Sequence, residues 1–250
     1  MYSVVHHPAF DRYAKHVEDL ALREDLQPLR VVAVTETAVA SNDPVALDSL
    51  IAWAMVQRAL EGRPFPIPEP SAHYWLPLPL KLDRLIDGLP LWTSTDFAPV
   101  DLHRSTTNIH RRTADNPWAM QGLMASLGDK RARRFPSQLA GPYMDYRVPQ
   151  RRYTALEWVA TCIGYRSEIE SLLADVRHFG KSAARGAGVL HEWRVEPIEA
   201  FHWRGAKGEA LRPLPLDSDD GPGVRMGWTP PYWQRSIWRL CEPSATALKY

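Results

Sequence analysis

Cysteine is scarce. Cys162 and Cys241 are the two in 250 residues, too few for a disulfide framework and suited to a reducing compartment. No secretory signal pattern stands at the N-terminus, so the expectation is a cytoplasmic protein. No uninterrupted apolar run approaches the roughly 18 to 20 residues that span a bilayer, which argues against a membrane partner. Net charge is nearly absent, at +1, which argues against a protein that coats nucleic acid along its whole surface. Histidines and acids at metal-ligand spacing are lacking too: His6 and His7 stand without partners, and the acidic "DSDDGPG" belongs to a Pro/Gly-rich turn. No metal or other cofactor is expected.

What is present is unevenly spread. Residues 1–100 carry 8 Lys/Arg against 13 Asp/Glu, residues 101–153 carry 10 against 4, and residues 154–250 carry 12 of each. One basic segment in a neutral chain is the footprint of a localised polyanion site. Proline (22) and tryptophan (10) are abundant, which predicts many loops held by aromatic packing.

Residues 1–28 read as a polar, helix-permissive N-terminal extension. Residues 29–250 read as one domain, with a basic insertion at about 100–150 and a Pro/Trp-rich tail over 197–250. "LRVVAVTETAVA" (29–40) is rich in β-branched residues and predicts a strand. Leu47, Leu50, Ile51, Ala54, Met55 and Leu60 make one face of a helix that Gly62 can stop. The segment from about Trp92 to Pro149 sustains no period, and its length predicts a long hairpin or inserted subdomain instead of a plain loop. "LEWVATCIGY" alternates as a strand. Ser167 and Glu170 have the spacing of a capping box, and Ile169, Leu172, Leu173, Val176 and Phe179 form the stripe of a helix ending at Gly180. "VLHEWRVEPI" predicts the last core strand. The sum is α+β: a ferredoxin-like (RRM-like) βαββαβ core with a glycine-rich loop and a long basic thumb or hairpin insertion.

The loop "GKSAARGAG" (180–188) is the most distinctive stretch. A Walker A loop would need a glycine at Asp175, and it would leave a strand and open a helix, whereas here a helix leads in and a strand leads out. That order also excludes a dinucleotide-binding fingerprint. The spelling around Arg185–Leu190 loosely echoes an RNA-recognition motif, yet Ala187 and Val189 stand where bases would stack on aromatics. The chemistry left is approach of Gly180, Gly186 and Gly188 to a phosphodiester backbone, with Lys181 and Arg185 neutralising charge. A tight turn would account for one or two of the glycines without any ligand.

"GPYMDYRVPQRRY", "LEWVATCIGY", "IESLLADVRHFGKSAARGAG" and "WRVEPIE", with "LDSLIAWAMV" upstream and a late "TPPYW…C…P", resemble the small RAMP-superfamily subunit of type IV CRISPR systems. The resemblance implies a ferredoxin-like fold with a thumb between its halves. It further implies a non-catalytic, RNA-binding protein of antiviral defence that grips the 5′ handle of the crRNA and caps one end of a ribonucleoprotein. The implied partners are crRNA, a backbone RAMP subunit and a large subunit, with target DNA near the handle end an open possibility. Carried onto this chain, it assigns RNA contact to Gly180, Lys181, Arg185, Gly186 and Gly188. To the thumb and its base it assigns Arg104, His110, Arg111, Arg112, Lys130, Arg131, Arg133, Arg134 and Arg147. The resemblance implies an aromatic where this chain has Ala187, a departure that argues against base or ribose stacking there.

Two alternatives stay open: a repeat-processing endoribonuclease of the same superfamily, and a stand-alone RNA-binding module. For the first, general acid–base candidates are His103, His110, His178, His191 and His202. Trp203, Trp228, Trp233 and Trp238 could stack RNA bases, but their spacing is more simply that of anchors fastening the tail.

Overall fold

The computed structural model describes residues 3–65, 72–112, 146–217, 222–232 and 234–245, with backbone alone for 3, 108–112 and 146–148. In chain order, β1 (Ser3–Val5), α1 (Pro8–Ala21), β2 (Gln27–Thr35), β3 (Val39–Ala40) and α2 (Leu47–Ala59) come first. They are followed by β4 (Ala72–Tyr74), β5 (Leu82–Ile86), β6 (Leu89–Trp92) and β7 (Ala98–Val100). After β8 (Arg104–Arg112) and β9 (Tyr146–Thr154) come β10 (Glu157–Gly164), α3 (Arg166–Ala174) and β11 (Leu190–Pro197). The tail holds β12 (Leu214–Pro215), β13 (Val224–Met226) and β14 (Arg239–Glu242). The protein is therefore α+β, with three helices among the described residues and several small sheets.

The chain divides into two compact units: residues 1–104 with 153–250, and residues 105–152. In the first, the largest sheet has the order β11-β2-β10-β7, with every neighbouring pair antiparallel. Strand β2 is central because "VVAV" suits a doubly packed position. Its Leu29, Val31 and Ala33 join Trp158, Ala160 and Cys162 of β10 in one core with Leu47, Ile51 and Met55 of α2 and Ile169, Leu172 and Leu173 of α3. The alternation foreseen for β10 is present: Trp158, Ala160 and Cys162 are buried, and Glu157, Val159, Thr161 and Ile163 are half-buried.

Three local readings change. The strand foreseen over 29–40 breaks after Thr35 and resumes as the two-residue β3. The helix foreseen to end at Gly180 stops at Ala174, and Val176 and Phe179 stay buried from an irregular segment. Ser167 is no capping-box residue, because α3 starts one position before it. Its amide and hydroxyl instead donate to Glu24, and Glu170 pairs with Arg166 one turn back. The carboxylate that serves this helix start thus comes from a distant part of the chain, at a place a sequence period cannot reveal.

Residues 1–28 contribute to the same core. Phe10 and Tyr13 of α1 are buried in it, and Phe10 packs against Phe65 and Tyr74. A smaller core joins Leu89 and Leu91 of β6 to Trp228, Ile237 and Cys241 of the tail. Between the two cores, Arg212 is buried and donates to the carbonyl of Trp92 at 2.8 Å. The second unit contains most of β8 and β9, strands of nine residues each and hydrogen-bonded neighbours.

Candidate nucleic-acid interface

The glycine loop joins α3 to β11 and is closed on the end of β2. Phe179 N–H donates to the Gly188 carbonyl at 2.7 Å, Gly188 N–H to Ala38 at 3.0 Å, and Lys181 N–H to Ala40 at 2.6 Å. Thr37 completes the closure: its hydroxyl donates to the Gly186 carbonyl at 2.8 Å and accepts from the Val189 N–H at 2.9 Å. At the apex, Ala183–Arg185 form a single 3₁₀ turn between two left-handed residues, Ser182 (φ 67°) and Gly186 (φ 71°).

This geometry assigns the glycines. A Cβ at Gly188 would lie 1.8 Å from the Phe179 carbonyl oxygen, and one at Gly180 would lie 2.8 Å from that of Ala40. Both therefore permit close approach of backbone to backbone within the fold. Gly186 faces open space and is needed for its positive φ. The amides of Lys181, Arg185, Gly186, Ala187 and Gly188 all donate inside the loop or to β2 and its extension. What the loop presents outward is side-chain charge: Lys181 and Arg185 are exposed, and Lys181 Nζ lies 3.1 Å from Asp43. Ala187 is 2% exposed, so this position offers no stacking surface.

The face of the main sheet turned away from the helices is a poor RNA platform. Its rows, in register, are Thr161–Arg30–Glu196, Val159–Val32–Arg194 and Glu157–Val34–Glu192. No aromatic stands among them. Arg30 pairs with Glu196 at 3.4 Å, and Arg194 pairs with Glu157. Three acids against two arginines leave this patch negative and self-satisfied, which repels phosphate and leaves bases nothing to stack on.

Of the remaining sequence candidates, Arg104 is exposed at the start of β8. His110, Arg111 and Arg112 lie on β8 and Arg147 on β9. Lys130, Arg131, Arg133 and Arg134 fall outside the described residues. Among the histidines, His191 pairs with Glu36 at 3.3 Å, His178 bridges Val189 through its backbone, and His103 and His202 are exposed. Trp228 is buried and donates to the Ile237 carbonyl, Trp203 packs on the smaller core, and Trp238 donates to the Tyr232 carbonyl; Trp233 is outside the described residues. Thr37, Asp43 and the exposed Arg177 beside the loop were missed. In the sequence, the turn "SNDP" (41–44) places an acid shortly after the first strand, and that is the signal by which Asp43 could have been found.

Among the described residues, no group of His, Cys, Asp and Glu is placed to hold a metal ion, and no helix is long and apolar enough to cross a membrane. No curated protein matches the sequence. The family described as CRISPR type IV associated protein Csf3 matches residues 27–242, a span running from the first residue of β2 to the last of β14 and holding the whole glycine loop. The chain belongs to the Csf3 family of type IV CRISPR-associated proteins.

Proposed function

We propose that this protein is a non-catalytic, RNA-binding subunit of a type IV CRISPR ribonucleoprotein, holding the 5′ handle of the crRNA at one end of the assembly. The observation that carries the reading is the glycine loop. It is a backbone-locked turn on the edge of the main sheet, inside the family-matched region, and it presents Lys181 and Arg185 outward. Locked backbone with exposed cations suits contact with the phosphates of a kinked single strand, where shape is read before sequence. The basic insertion would supply further phosphate contacts as a thumb, and a backbone RAMP subunit and a large subunit would flank the protein. The order β11-β2-β10-β7, with α2 and α3 on one face, supports a ferredoxin-like core and hence RAMP membership.

The test is incubation of the purified protein with end-labelled repeat RNA in the absence of metal, with cleavage and retention read on one gel. Intact, retarded RNA whose retention weakens in Lys181→Ala/Arg185→Ala is the expected result. Cleavage that disappears with His103→Ala or His110→Ala would make the protein the processing endoribonuclease instead.

A further inference from the structure

Lys181 does not wait for RNA with a bare ammonium. Its Nζ lies 3.1 Å from Asp43 Oδ2, and both ends of that pair are fixed through the backbone. On one side the Lys181 amide is bonded to the Ala40 carbonyl. On the other, the hydroxyl of buried Ser41 donates to the carbonyl of Asp43 itself, which sets the turn from which the carboxylate projects. The two groups are thus preorganised for each other. They are nevertheless open to solvent, with side chains 56% and 77% exposed, so the pair contributes little to folding. A carboxylate oxygen and a phosphodiester oxygen are equivalent acceptors for an ammonium. The loop's amides from Arg185 to Gly188 are already spent inside the fold, and a phosphate arriving at Lys181 competes with Asp43 for its ammonium.

We propose that Asp43 is a built-in stand-in for RNA phosphate: its carboxylate holds Lys181 in the free protein, and a docking phosphodiester displaces it. This inference rests on the RNA-holding reading above and adds to it a residue that sets affinity. A carboxylate beside the loop lowers affinity for every polyanion.

The experiment is a titration of a fluorescently end-labelled, single-stranded copy of the repeat into wild type, Asp43→Asn, Lys181→Gln and the double variant, after thermal melts show all four folded. Asp43→Asn is expected to tighten binding by about 2- to 5-fold, the range of an exposed ion pair, and to change nothing in the Lys181→Gln background. Equal tightening in both backgrounds would overturn the inference, because Asp43 would then act as bulk charge while RNA binding itself stands. So would RNA binding that is indifferent to Asp43→Asn. Failure of all four proteins to bind the repeat would bring down the RNA-holding reading and this inference together.

Discussion

The guanidinium of Arg212 and the carboxylate of Asp48 face each other at 3.0 Å with essentially no solvent access to either. Arg212 lies in the tail and Asp48 in the first turn of α2, so the pair fastens the last part of the chain to the main core. Tyr232 joins it, donating to Asp48 at 2.9 Å and accepting from Arg212 at 2.7 Å. Burial is the largest single influence and would lower the arginine pKa, but the Asp48 charge and hydrogen bond, with Tyr232 and Asp96, together outweigh it and raise the pKa, so the group stays ionised. Removing either partner leaves a buried charge uncompensated.

Arg212→Met is accordingly expected to cost about 3–5 kcal/mol, read as a fall in the urea midpoint. It strands the Asp48 carboxylate and the carbonyls of Trp92 and Trp228 that Arg212 serves. A loss below about 1 kcal/mol, the scale of a solvent-exposed pair, would mean that the apolar cluster around Trp228 holds the tail without help.

Gly188 and Gly186 make a controlled pair. Gly188→Ala drives a methyl into the Phe179 carbonyl, whereas Gly186→Ala meets open space and bears only the strain of a positive φ. The first should open the loop and lower the melting temperature sharply; the second should cost about 1 kcal/mol. Equal effects in thermal melts would refute the view that Gly188 is there for close backbone approach.

Glu168 on α3 is nearly buried and receives three donors: Tyr13 Oη at 2.6 Å, His16 Nε2 at 2.9 Å and Arg58 Nη1 at 3.3 Å. Burial, together with the bond to Glu168, raises the Tyr13 phenol well above its ordinary pKa. Tyr13→Phe removes one hydrogen bond to a charged group, a loss of about 1.5–3 kcal/mol measurable by chemical denaturation. Unchanged stability would show that α1, which precedes the family-matched region, merely leans on the core.

His73 sets a pH dependence. It is buried, and desolvation lowers its pKa from 6.5 despite a bond to Gln234 that acts the other way. At pH above 6.5 folded and unfolded chains both hold it neutral, and its contribution is complete. Below 6.5 the unfolded chain takes up a proton that the folded chain refuses, so stability falls from there down to the lowered folded pKa, then levels off. His73→Gln should flatten the melting temperature between about pH 6.5 and 5; an identical slope in both proteins would assign the dependence to other groups.

Much of this was written locally. The alternation of β10, the apolar face of α2 and the stripe Ile169–Leu172–Leu173 of α3 could be read because burial imposes a period on adjacent residues, whereas Val176 and Phe179 are buried from beyond the end of the helix that the period foresaw. The loop's residue types, and the order of motifs that placed the chain in a type IV CRISPR family, were also legible along one dimension. What the glycines are for was not. Gly180 and Gly188 looked shaped for a ligand's backbone, and the structure gives them the protein's own: Ala40 and Phe179 occupy the space a Cβ would need. Nor did the sequence pair Lys181 with Asp43, Ser167 with Glu24, or Arg212 with Asp48, residues separated by 138, 143 and 164 positions. A period reports which side of an element is dry, but it carries no information about which distant side chain arrives there. That partner is chosen when sheet order and loop closure bring the two together, and only the tertiary structure decides it.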